Sequence, residues 1–275
     1  MLLQHLALIS TVTTIDAAEL AQVSGAIQKQ VARDLAPLWG IAATVDIFPE
    51  FEDVPVGYWP IVIVDDAPQP GVHKDFNRQP IAYVVAGPTW SLAASHEVVE
   101  MLIDPWGDRI VAGDAPRGGG RVEFLVEVCD PCQDPTHAYT VNGVLVSDFC
   151  TPAYFDPVGS NTVRYSYTGT ISQPHQVLPG GYLTWHVPAT RHWLQLRVTA
   201  SGEAVHDLGP MQKGPLALRT MIDAQTPEKR ELSRIPRSHP RVAEVMEARE
   251  HGLKMRLARA AEWRRLTAQV CGGGQ

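Results

Sequence analysis

The chain has 275 residues, of which 45% are hydrophobic and 19% charged, so it is long enough for one large domain or for one domain with an appendage. Its formal net charge of −7 argues against a general affinity for nucleic acid. The charge is unevenly spread, because residues 228–265 carry about +5 and the rest of the chain about −12.

No segment approaches the roughly 20 consecutive apolar residues that a membrane-spanning helix needs. The apolar start, residues 1–20, has no Lys or Arg before its apolar part, so we expect a strand there and not a signal peptide. These features predict a cytoplasmic protein that does not contact a membrane. The four cysteines are too few for a disulfide scaffold.

The first hundred residues predict a strand, a helix, three further strands and a second helix, in that order. After the first strand, Asp16 can cap a helix whose apolar residues recur at steps of three and four, and this helix should end at Pro37 or Gly40. Residues 67–80 are rich in turn-forming residues and predict a loop. The predicted strands are 6–13, 42–49, 58–66 and 81–87. We therefore expect an α/β (α+β) fold, a mixed sheet with a βαβ start that is covered by helices.

The second half is less regular. Residues 122–128 fit a strand or a helix, and Asn142-Gly143 between β-branched runs predicts a hairpin over 138–149. Residues 150–200 suggest irregular structure with short strands, and residues 239–270 predict a long charged helix. We expect a domain over 1–205 and a basic, helical C-terminal extension over 206–275, which is either solvated or available to a protein partner.

The stretch "SHEVVEMLIDP", residues 95–105, predicts a short helix that ends before Pro105. At about 100° per residue, His96, Glu97, Glu100 and Asp104 fall within about one quarter of the helix circumference. No Lys or Arg lies on this helix to balance the acids, and clustered carboxylates repel one another unless a cation lies among them. The pattern favours a metal site, and a solvated helix face is the alternative.

A catalytic zinc helix has two ligands one turn apart, with a Glu directly after the first. Here these would be the metal ligands His96 and Glu100, with Glu97 as the general base. The usual second His is replaced by a carboxylate, which is a harder ligand and opens the site to Mn²⁺, Fe²⁺ or Ca²⁺.

The third ligand could be Asp104, two turns along the same face, or a downstream carboxylate of "VEFLVEVCDPC". We favour Glu127, because an unpaired carboxylate in an apolar run is costly and a metal would compensate that cost. Asp130 or Asp104 would then support the ligands or supply one more oxygen.

The cysteines suggest a rival site. Cys129, Cys132, His137 and Cys150 have a spacing compatible with a structural zinc knuckle, although a Cys132–Cys150 disulfide or free thiols fit the sequence better.

The motifs "SHEVVEMLIDP", "EVCDPC" and "YTVNGVLVSDF" together resemble those of a group of zincin-like predicted metallopeptidases, and EXORDIUM-like proteins are similar over the same stretch, about residues 80–155. The resemblance implies a zincin-like fold with His96, Glu100 and Glu127 at the metal and Glu97 as the base.

The functional expectation is a metal-dependent hydrolase, above all a zinc metallopeptidase that acts on a peptide or protein substrate. The alternative is a non-enzymatic protein of the same fold, whose His and carboxylate cluster binds a structural ion and which acts as a binding module.

Overall fold

The computed structural model describes residues 3–66, 72–76, 79–156, 158–211, 218–226 and 232–272. Over these residues the chain forms two five-stranded sheets and a separate two-stranded hairpin, with helices packed against them. One continuous apolar core includes residues from both sheets and from the helices between them. The expected mixed α/β architecture is confirmed in this general form.

The first sheet is mixed, with strand order β2-β1-β3-β5-β4. Its neighbouring strands run parallel, except that β4 runs antiparallel to β5. The loop predicted over 67–80 is therefore wrong for residues 72–76, which pair with β5 as a strand, and for residues 79–80, which begin β5. The predicted residues 67–71 and 77–78 lie outside the described ranges. The strands are β1 (Leu3–Ser10), β2 (Ala42–Phe48), β3 (Trp59–Val64), β4 (Val72–Phe76) and β5 (Gln79–Val85).

Two helices follow the first strand and confirm the βαβ start. Helix α1 (Ala17–Lys29) begins where the Asp16 carboxylate accepts a hydrogen bond from the Glu19 backbone N–H at 2.8 Å. The chain continues through a π-helical segment, Gln30–Leu35, into α2 (Ala36–Trp39), which ends at Gly40 in the left-handed conformation. The apolar stripe of α1 and the π-helical segment lies in the core, as the step of three and four predicts.

Helix α3 (Trp90–Ile103) follows β5 and packs against β5 and α1. All of its residues except Ser91 are buried, so it is a central helix and not an amphipathic surface helix. The His and Glu side chains of this helix therefore lie inside the protein.

The second sheet is antiparallel, with strand order β12-β11-β10-β7-β6. It resolves residues 122–128 as mostly strand, and it gives the 150–200 region longer strands than the sequence predicts. The hairpin turns at Asn142 and Gly143, both with positive φ, as predicted. The elements are β6 (Ile110–Asp114), β7 (Arg121–Leu125), the hairpin strands β8 (Tyr139–Val141) and β9 (Val144–Val146), β10 (Tyr182–Val187), β11 (His192–Thr199) and β12 (Gly202–Pro210).

The C-terminal part contains α4 (Leu218–Asp223) and the long helix α5 (Pro240–Gly272), which confirms the predicted C-terminal helix. The predicted boundary between residues 205 and 206 falls inside β12, which pairs along β11. Near the start of α5, Val242 and Val245 are buried, whereas residues 253–269 are exposed. Among the described helices, none combines the length and apolar character that crossing a membrane requires.

The second sheet is fitted closely to the turn that carries Asp130. A Cβ at Gly181 would lie 2.7 Å from the Asp130 carbonyl oxygen and 2.5 Å from that of Pro131, and backbone atoms cannot move aside as a flexible side chain can. We expect Gly181→Ala to lower the free energy of unfolding by about 1–3 kcal/mol, the usual cost of overpacking.

Gly25→Ala is the matched control, because a Cβ at this α1 position meets nothing within 4 Å. It should raise the free energy of unfolding by about 0.5–1 kcal/mol through helix propensity. Urea denaturation of both variants measures the two values, and equal effects would contradict the close fit at Gly181.

Candidate metal centre

Helix α3 and the residue that follows it carry the four ionisable side chains of the 95–105 stretch, and all four are buried. His96, Glu97 and Glu100 are fully buried, and Asp104 is 1% exposed. The alternative of a solvated helix face is therefore wrong. The apolar residues that surround these groups place α3 in the core, so the charges must be compensated inside the protein.

Two carboxylates lie beside the His96 imidazole. His96 Nε2 is 3.1 Å from Glu100 Oε2, one turn along the helix, and 3.2 Å from Asp130 Oδ1. Asp130 begins a 3₁₀ turn, Asp130–Cys132, that follows β7. Donor atoms that share a tetrahedral zinc ion at about 2.0–2.3 Å lie roughly 3.3–3.8 Å apart, so these spacings are close to those of a ligand set.

Cys129 completes a group that could hold a metal ion. Within the described residues, ligand atoms of His96, Glu100 and Cys129 all lie within 4.8 Å of one another. The Cys129 backbone N–H donates to Glu100 Oε1 at 3.1 Å, which fixes that carboxylate against the turn. Burial raises the pKa of the Cys129 thiol, and the charges of Glu100 and Asp130 add to this effect, so without a metal the thiol stays protonated.

The rival zinc knuckle does not assemble in the part of the chain that the structure describes. Cys129, Cys132 and Cys150 are buried free thiols, so the Cys132–Cys150 disulfide is not formed either. These cysteines and His137 do not form a second ligand group there. Cys129 lies instead with His96 and Glu100, a grouping that the sequence spacing does not indicate.

Glu127, the preferred third ligand from the sequence, is 3% exposed and lies beside an arginine. Arg219 of α4 brings its Nε to 3.2 Å from Glu127 Oε1 and 3.6 Å from Asp223 Oδ2. Its Nη2 makes an ion pair with Glu100 Oε2. Glu127 therefore joins the cluster through Arg219, and its role as a metal ligand stays a prediction.

Arg219 is fully buried, and sequence reasoning missed it. Burial lowers the pKa of Arg219, but the carboxylates of Glu100, Glu127 and Asp223 outweigh burial and raise it, so the side chain is a permanent cation. The residue lies 119 positions after Glu100, in the segment interpreted as a basic extension, and no local pattern marks it.

Asp104 has a structural role at the end of α3. Its carboxylate accepts hydrogen bonds from the backbone N–H groups of Asp108, at 3.2 Å, and Arg109, at 2.9 Å. These bonds shape the turn between α3 and β6. That Asp104 supports the metal ligands, or is itself a further ligand, stays a prediction.

Among the described residues, the cluster combines buried carboxyl groups with two side chains that can carry positive charge, the Arg219 guanidinium and the His96 imidazole. Its buried carboxyl groups, each no more than 3% exposed, are Glu97, Glu100, Glu127, Asp130 and Asp223. Carboxylate oxygens such as these are suitable ligands for a divalent cation.

No protein-family model matches the chain, and no curated protein or solved structure matches it either. The candidate metal centre is therefore supported by its geometry together with the sequence motifs.

The imidazole of His96 should titrate well above its usual range in metal-free protein. Burial lowers the pKa of His96, but the neighbouring carboxylates of Glu100 and Asp130 outweigh burial and raise it to about 9. NMR titration of the His96 ring should show this midpoint, and Asp130→Asn should lower it. Because the folded pKa is raised, the stabilisation from His96 is complete below about pH 6.5 and is lost as the pH rises through about 9. A midpoint near 6.5 would contradict the arrangement.

Proposed function

We propose that the protein is a metal-dependent hydrolase of the zinc metallopeptidase type, with its metal at His96 and Glu100. The observation that carries the proposal is the position of His96 Nε2, which lies 3.1 Å from one buried carboxylate and 3.2 Å from another. Neither ring nitrogen makes an aligned hydrogen bond with a described residue. A hydrogen bond needs an N–H group that points at its acceptor, whereas a metal ion binds the nitrogen lone pair. A metal ion therefore fits a nitrogen that lies close to two carboxylate oxygens.

The chemistry of the donor set fits zinc. An imidazole nitrogen, a carboxylate oxygen and a thiolate are the three ligand types that zinc accepts, and a thiolate disfavours Ca²⁺ and Mg²⁺. We propose Cys129 as the third ligand because its Sγ lies within 4.8 Å of the other two ligand atoms. Glu127, which the sequence motifs favour, is the alternative third ligand.

A zinc ion with three protein ligands supplies a Lewis acid that polarises a carbonyl group and lowers the pKa of a water molecule. Glu97 follows His96 directly, so its carboxylate is the candidate general base. It would take a proton from the attacking water and transfer it to the leaving amine of a peptide. Asp130 Oδ1 approaches the same Nε2 that would bind the metal, so Asp130 would offer the metal a further oxygen and would not orient the imidazole through a hydrogen bond.

The complete burial of the site favours a second candidate function. Structural zinc sites are closed and have four protein ligands, whereas catalytic sites keep one position for water. His96, Glu97 and Glu100 are fully buried in the conformation described. A structural ion at the same residues, in a protein that acts by binding, therefore remains the alternative to hydrolysis.

Variants of His96 and Glu97 separate the two functions. We expect elemental analysis of purified protein to find zinc, and His96→Ala to lose it. Glu97→Gln should keep the zinc but lower kcat on a library of internally quenched peptides about 10²–10⁴-fold, because it removes the base without removing a ligand. Glu123→Gln is the matched control, since this carboxylate on β7 pairs with His186 outside the cluster. If wild type and Glu97→Gln retain zinc and neither cleaves any peptide, the structural-ion alternative replaces the hydrolase.

Cobalt substitution identifies the third ligand. If Cys129 binds the metal, the Co²⁺ protein shows thiolate-to-cobalt charge-transfer absorption, and Cys129→Ser abolishes it. Glu127→Gln should leave that absorption in place. Absence of the absorption from the Co²⁺-loaded wild type would exclude Cys129 and favour Glu127.

A further inference from the structure

The α4 segment, which we define as residues 218–226, lies between the end of α3 and the second sheet. The Arg219 backbone N–H donates to the Gly107 carbonyl at 3.1 Å, in the turn that follows α3. Ile222 packs in a small apolar cluster with Leu125 and Trp193. The segment therefore contacts both elements that supply residues to the candidate metal centre.

The Arg219 side chain fits closely at this position. A Cβ at Gly107 would lie 2.7 Å from Arg219 Cβ, and Gly107 has a φ of 64°, so a larger residue would displace the arginine. The guanidinium then reaches inward to Glu100, Glu127 and Asp223. An arginine buried to this extent is retained only because carboxylates surround it.

One oxygen atom of Glu100 contacts both the His96 imidazole and the Arg219 guanidinium. Glu100 Oε2 is 3.1 Å from His96 Nε2 and also forms the ion pair with Arg219 Nη2. A metal between His96 and Glu100 would approach this oxygen and would therefore repel the adjacent guanidinium. Two cations in a site of low dielectric constant repel each other strongly.

We propose that Arg219 is an internal counter-cation that competes with the metal ion for Glu100, so that metal binding releases the α4 segment. The inference depends on the proposed metal centre and describes the regulation of that site. Without metal, Arg219 neutralises Glu100 and Glu127 and holds the α4 segment against them. With metal, Arg219 loses its hold on Glu100, and the α4 segment is held less tightly against the centre. Because the coupling is reciprocal, whatever weakens the arginine contact strengthens metal binding.

Zinc titration of the full chain tests the competition. Calorimetry should show that Arg219→Met binds Zn²⁺ roughly tenfold more tightly than wild type, within the usual range for coupling between sites. Arg219→Lys keeps a cation without the planar guanidinium and should fall between the two. Arg117→Met is the matched control, because it removes an arginine from an exposed ion pair, that of Arg117 with Glu203. Its zinc affinity should equal that of wild type.

Hydrogen exchange of wild-type protein tests the release without any substitution. Peptides that cover residues 218–226 should exchange faster when Zn²⁺ is present, whereas peptides from α3 should exchange more slowly. This measurement keeps the proposal testable if Arg219→Met does not fold.

The outcomes test the competition between Arg219 and the metal separately from the metal centre itself. Tighter zinc binding by Arg219→Met, or faster exchange of the α4 segment with zinc in wild type if that variant does not fold, supports the competition. If wild type binds zinc but Arg219→Met binds it equally or more weakly, or the α4 segment is protected by zinc, the competition is overturned and the metal centre stands. If neither protein binds zinc, the metal centre itself is overturned.

Discussion

The arrangement of this protein depends on the compensation of carboxylates inside its core. Glu97 and Glu100 lie on a helix that is buried on nearly every side, and Glu127 and Asp130 follow β7 into the same region. An ionised carboxylate in such an environment costs several kcal/mol unless a cation or hydrogen-bond donors accompany it. The Arg219 guanidinium and the His96 imidazole supply part of that compensation. The contact between α4 and the end of α3, and the fit of the second sheet against the Asp130 turn, keep these groups together.

The local features of the fold were predictable because short-range chemistry determines them. The Asp16 cap and the apolar stripe predicted α1, and Asn142-Gly143 predicted the hairpin turn. The position of β4 was not predictable, because its turn-rich residues become a strand only by pairing with β5. The second sheet was underestimated for the same reason. Its β10 strand pairs with β7, about 60 residues earlier, and no local pattern records that partner.

The sequence predicted that His96 lies among carboxylates, but it did not predict that Arg219 and Cys129 lie there too. The absence of Lys and Arg from α3 indicated that a cation must lie among its acids, and the structure provides one in Arg219, far along the chain. Periodicity places side chains on a face, but it cannot tell a guanidinium from a metal ion as the neutralising charge. The sequence did not indicate that Cys129 lies beside His96 and Glu100, because its spacing to Cys132 suggested a different ligand group.

Burial and catalysis place opposite demands on this centre. A buried cluster strengthens every electrostatic interaction within it, which favours metal binding. For the proposed hydrolysis, a peptide would have to reach Glu97, which is fully buried in the conformation described. Hydrolysis therefore requires an element that covers the centre in one state and leaves it in another. We propose the α4 segment as that element, because its Arg219 forms an ion pair with Glu100, the residue that the proposed metal also needs. A structural ion would require no such movement, so the behaviour of Arg219 on metal binding bears directly on whether the centre can turn over a substrate.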